Sequence, residues 1–114
     1  MEAKELMIND WVMDESPQQI KELGTEFCTN KNDDLLFTDR LKPIPLTKEI
    51  LKANGIKYIA GLLWWQRAYP FRNTDKYEVH INEVTAVTVE YVHELQHALR
   101  LCGLRELADN FKIK

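Results

Sequence analysis

Serine, cysteine, glycine and proline are all scarce in this chain, and no apolar run is long enough to cross a membrane. Ser16 is the single serine in 114 residues, and it sits in the turn-like stretch Asp14-Glu15-Ser16-Pro17, so a serine nucleophile has little support. Cys28 and Cys102 are too few for the disulfide framework of a small secreted domain. Both read as reduced thiols, Cys102 as a core residue. The four glycines are scattered and form no phosphate-cradling loop. No stretch approaches the roughly 18 apolar residues of a membrane span. The start, Met1-Glu2-Ala3-Lys4-Glu5, lacks the apolar run of a signal peptide. These absences lead us to expect a cytoplasmic protein with no membrane partner. A basic excess is missing as well. With 15 Lys and Arg against 18 Asp and Glu, the net charge of −3 argues against broad nucleic-acid binding, which needs clustered cations. A local basic patch could still hold one phosphate.

What is present suits one globular domain over 1–114. Hydrophobic residues make up 45% and charged residues 29% of the chain, enough for one modest core and too little for a second independent one. Leu6 to Met13 reads as a first strand, followed by a turn at Asp14 to Pro17 and extended chain from Gln18 to Thr29, interrupted at Gly24. Leu35 to Asp39 is a further short strand. Pro43 and Pro45 keep Lys42 to Leu46 extended. Thr47 caps a helix over 48–54 that stops at Gly55. Lys57 to Trp65 is apolar on both faces and reads as a central strand, whereas Tyr77, Val79 and Ile81 alternate with polar residues as a half-buried strand does. Asn82-Glu83 is a turn, and Val84 to Thr88 a last strand. The longest helix covers 89–102, and a short amphipathic tail runs from Leu104 to Phe111. Strands without regular alternation with helices predict an α+β fold, an antiparallel sheet of about four or five strands with both helices packed on one side.

The run His93-Glu94-Leu95-Gln96-His97 matches the zinc-peptidase pattern H-E-x-x-H. Histidines four apart stack on one helix face and can share a zinc ion, with the glutamate beside them as base toward a bound water. A catalytic zinc needs a third protein ligand. The extended pattern would place glycine and histidine where the chain has Arg100 and Gly103. His80, Glu106 and Asp109 are the candidates that remain. At about 100° per residue, Tyr91, Val92, Leu95, Ala98, Leu99 and Cys102 form an apolar stripe, with His93 and His97 nearly opposite on what reads as a solvated face. We therefore expect no resident metal and no cofactor. The alternative is a zinc-dependent hydrolase with His93 and His97 as ligands and Glu94 as base.

A second constellation is Trp64-Trp65-Gln66-Arg67-Ala68-Tyr69-Pro70-Phe71-Arg72. Exposed Trp, Tyr and Arg are the residues that dominate binding hot spots. Trp64, Trp65, Arg67, Tyr69 and Arg72 are thus candidates for a partner surface. They could also bind a small nucleotide or phosphorylated ligand, a tryptophan stacking the base and an arginine holding the phosphate.

Three segments carry a resemblance: Asn9-Asp10-Trp11-Val12, Pro43-Ile44-Pro45-Leu46-Thr47-Lys48-Glu49-Ile50-Leu51, and Tyr91-Val92-His93-Glu94-Leu95-Gln96. The chain resembles a family of small uncharacterised proteins from Bacteroides-type gut bacteria, their phages and mobile elements. The likeness spans most of the chain and is poor from Trp65 to Asp75. In that family Gln often stands at the position of Glu94 and Asn at that of His97. The resemblance therefore implies a structural helix rather than a zinc site. The leading expectation is a non-enzymatic accessory or protein-interaction domain, phage- or mobile-element-borne, with an unknown protein partner.

Overall fold

A short strand flanked by polar turns can bury only one of its faces, so such strands need a second layer to cover them. The computed structural model describes residues 1, 3–58, 61–67, 76–81 and 85–113. Within them the strands form two sheets rather than the single one expected, each of the expected size, and the α+β class holds. The elements are β1 (Trp11–Asp14), β2 (Ser16–Leu23), β3 (Phe27–Asn30), β4 (Leu35–Phe37), β5 (Lys42–Pro43), α1 (Lys48–Ala53), β6 (Lys57–Tyr58), β7 (Leu63–Arg67), β8 (Tyr77–Ile81), β9 (Thr85–Val89), α2 (Val92–Leu101) and α3 (Arg105–Asp109). Short 3-10 turns occupy Ala3–Glu5 and Thr38–Arg40.

The first sheet is antiparallel with strand order β4-β3-β2-β1-β5. A register shift between Ile20 and Glu22 bends β2, as an extra residue in one strand does. The bend lets these strands enclose Leu6, Val12, Ile20, Cys28, Leu36 and Leu41 as a small cluster. The second sheet has order β6-β7-β8-β9, with β6 parallel to β7 and the rest antiparallel. Its inward residues Tyr77, Val79, Ile81 and Val89 pack with α1, α2 and the tail in a larger cluster that includes Leu51, Leu95, Leu99 and Phe111. A second cluster is therefore present where one core was expected. Strand alternation couples the two. Val12 points into the small cluster, while its neighbours Trp11 and Met13 pack on the large one.

The proline-spaced segment after residue 41 joins the sheets. Val12 pairs with Pro43 in the first sheet. Leu46 N then donates to Glu90 O at 2.9 Å, and Val92 N donates to Ile44 O at 2.9 Å, just beyond β9. This pairing holds Glu90 and Tyr91 extended, so α2 begins at Val92 instead of 89. Thr47 Oγ1 accepts from Ile50 N at 3.2 Å, and Gly55 ends α1 with φ +76°, both as expected.

Other boundaries differ. The first strand begins at Trp11 and not Leu6, because Asn9 is left-handed (φ +74°) and the Asp10 carboxylate accepts from Met7 N at 2.8 Å. The turn at Asp14 to Pro17 tightens onto Glu15 (φ +63°), with Asp14 paired to Ser16. Lys57 to Trp65 is not one central strand. Within it lie the sheet-edge strand β6 and the start of β7, with Gly61 at φ +78° between them. The expected turn at Asn82-Glu83 lies outside the described residues.

Candidate functional site

Helix α2 carries the H-E-x-x-H run, and its polar side is not solvated as expected. Val92, Leu95 and Leu99 face the large core, and Gln96 shares their full burial. The N-terminal segment ahead of β1 lies across this side. Gln96 Oε1 accepts from Trp11 N at 2.9 Å, and its Nε2 donates to Asn9 O at 2.8 Å and Ala108 O at 2.9 Å. One amide thus ties the first sheet, α2 and α3 together with every contact satisfied, as a buried polar group requires. Trp11 Nε1 adds a bond to Phe111 O at 2.6 Å.

Next to Gln96, the fully buried Asp10 carboxylate is the centre of the histidine face. Its Oδ2 accepts from His97 Nε2 at 2.5 Å and from Met7 N, and its Oδ1 accepts from Arg100 Nη1 at 2.6 Å. Arg100 also donates through Nε to Asp109 Oδ1 at 3.3 Å. A buried charge persists only when paired and hydrogen-bonded in this way. Of the expected third-ligand candidates, Asp109 is thus engaged with Arg100, and His80 stacks on Trp64 and donates to Glu78 Oε1 at 2.6 Å. The carboxylate that meets the histidines comes instead from Asp10, 87 residues ahead of His97, a separation no local spacing could reveal.

Each member of the run has a local task. Glu94 Oε1 accepts from Tyr91 N at 3.0 Å and Glu90 N at 2.9 Å, closing the exposed backbone donors where α2 starts. His93 lies edge-to-face with His97, ring centroids 5.6 Å apart. Its Nδ1 is buried with no hydrogen-bond partner among the described residues. Burial pushes the His93 pKa below its ordinary value, against the pull of Asp10. Among the described residues, no group of three His, Cys, Asp or Glu side chains is placed to hold a metal ion.

The aromatic constellation divides by strand alternation. Trp64 faces outward and stacks on His80, ring centroids 3.5 Å apart and planes 6° from parallel. Trp65 faces inward, edge-to-face with Tyr58 at 5.0 Å and with Tyr77 at 5.3 Å. The two tryptophans, both half-buried, therefore do not converge on one ligand. Arg67 is exposed at the end of β7, and Tyr69 and Arg72 lie outside the described residues.

Trp65 opens onto a groove of about 560 Å³ between α1 and the β6–β7 edge, lined by Lys48, Glu49, Lys52, Ile56, Lys57 and Tyr58 as well. Tyr58 is 62% exposed there. The sequence reading missed this assembly, although Lys48 and Lys52, four apart on a helix, share a face. It also missed Gln96, whose spacing from Val92 and Leu99 places it on the apolar stripe. Elsewhere Phe27 and Phe37, register partners in the first sheet, stand half-exposed beside Leu35. Compared with protein-family models, with curated proteins and with solved structures, the chain showed no match.

Proposed function

We propose that this protein is a non-enzymatic interaction domain that recognises a protein partner through the groove between α1 and β6–β7. The observation that carries the reading is the Tyr58–Trp65 corner, large aromatic surface left open to water in a concave site of about 560 Å³. Concave apolar walls with a few placed polar groups are the usual form of a binding site, and aromatic anchors dominate recognition energetics. The H-E-x-x-H-like run fits a scaffold role. Glu94 closes the helix start, and His97 pairs with the buried Asp10. An accessory role carried by a phage or mobile element follows from the resemblance in residues 9–12, 43–51 and 91–96.

The test is site-specific photocrosslinking in cells that express the protein. A photoreactive phenylalanine at Tyr58 is expected to yield a discrete protein adduct. The same probe at Ala86, exposed on the far side of the sheet, is expected to yield none. Equal labelling at both positions, or none at Tyr58, refutes the reading. Metal content of the purified protein tests the hydrolase alternative. Stoichiometric zinc, lost in both His93→Ala and His97→Ala, would overturn the scaffold role, because zinc held by a preformed site survives purification.

A further inference from the structure

We infer that the occupant of this groove is an acidic peptide segment of the partner, anchored by an aromatic or branched apolar side chain. The inference rests on the groove reading and assigns its ligand chemistry. Lys48, Lys52 and Lys57 line the groove against one carboxylate, Glu49. None of the three lysines makes an ion pair with another described residue. On a chain of net charge −3, a groove with three lysines to one acid is a local reversal of sign. Unpaired cations at the rim of an apolar cleft attract an oppositely charged partner and set its register.

The arrangement also separates a peptide from a nucleotide. Tyr58 and Trp65 meet at 61°, which makes a corner and not the parallel slot that clamps a planar base. Trp64, the tryptophan with a parallel neighbour, has one face covered by His80 on the opposite side of the sheet. The cations are point charges on separate stems rather than an arginine fork converging on one phosphate. Lys48 and Lys52 sit one turn apart on α1, and Lys57 follows on β6. This spread matches a string of carboxylates flanking one anchor that fills the Tyr58–Trp65 corner.

The experiment measures fluorescence polarisation of three labelled peptides with the full chain. One contains Glu flanking Phe, one has Gln for each Glu, and one has Lys for each Glu. ATP is the competitor. The Glu peptide is expected to bind, to weaken as salt shortens the screening length, and to resist ATP. The paired substitution Lys52→Glu with Lys57→Glu is expected to weaken it at least about tenfold. Tyr58→Ala is expected to weaken all apolar-anchored peptides while leaving the circular dichroism spectrum unchanged. Equal affinity for the Gln peptide overturns the acidic assignment but leaves the groove reading intact. Displacement by ATP overturns it in favour of a nucleotide. Unchanged binding to the charge-reversed and Tyr58→Ala proteins places the contact elsewhere and overturns both. No binding of the Glu peptide at millimolar concentration, with crosslinking at Tyr58 retained, overturns the acidic assignment alone.

Discussion

Replacing Gln96 with leucine probes the joint on which both sheets depend. Leucine keeps nearly the same volume, so the change removes hydrogen bonds without opening a cavity, a confusion that alanine would introduce. Three backbone groups lose a partner. Asn9 O still accepts from Gln19 Nε2 at 3.0 Å, and Ala108 O still accepts from Phe111 N at 3.3 Å. Trp11 N loses Gln96 Oε1, its one acceptor outside the strand ladder among the described residues, and is left against the core. An orphaned buried donor costs about 1–3 kcal/mol, and the two weakened carbonyls about 0.5–1 kcal/mol each. The added apolar surface of leucine returns about 1 kcal/mol. The net loss is about 1–4 kcal/mol, against a total stability of about 5–15 kcal/mol for a domain. At this chain length that is a fall in Tm of roughly 4–17 °C. Urea unfolding followed by tryptophan fluorescence and by circular dichroism measures it, with the slope on urea unchanged. A loss below about 0.5 kcal/mol would refute the reasoning, because such a value is what a solvent-exposed glutamine gives.

Two further outcomes follow from the same helix. Glu94→Gln is expected to cost at most about 1 kcal/mol in the same urea assay, the worth of a carboxylate cap at a helix start; a larger loss would mean that Glu94 is engaged beyond its backbone partners. Burial holds the His93 pKa below that of the unfolded chain, so His93 favours the folded state above about pH 6.5. That contribution is lost as pH falls and the unfolded chain takes up the proton first. His93→Gln is expected to lose less stability than the parent between about pH 7.5 and pH 5, and parallel urea midpoints for the two proteins across that range would refute the assignment.

Much of the fold was legible from local chemistry. Thr47 and Gly55 bound α1 because a hydroxyl cap and a left-handed glycine act within one helical turn. The alternation of Tyr77, Val79 and Ile81 appears as three inward residues of β8 because strand faces repeat every second position. The pairing of Trp11 with a distant helix could not be read this way. Nor could the division into two sheets, which the segment from Lys42 to Leu46 joins by pairing with β1 on one side and with Glu90 and Val92 on the other.

Sequence alone determined the class of the fold, the place of α1 and, to within a few residues, of α2, the absence of an apolar span long enough for a membrane, and the residue types available for chemistry. Those properties depend on composition and on spacings of two to four residues. Tertiary structure decided what the residues are used for. Helix periodicity suggested that His97 faces water, yet Asp10 pairs with it and with Arg100, and Asp10 is completely buried. Strand alternation sends Trp64 and Trp65 to opposite faces, but which of the two packs on the core was decided by the fold. Lys48, Lys52, Lys57 and Tyr58, unremarked as a sequence, line one groove with Trp65. The reason is common to all three cases. Burial and electrostatic partnership are set by contacts through space, and the chain brings those contacts together only once its layers have packed.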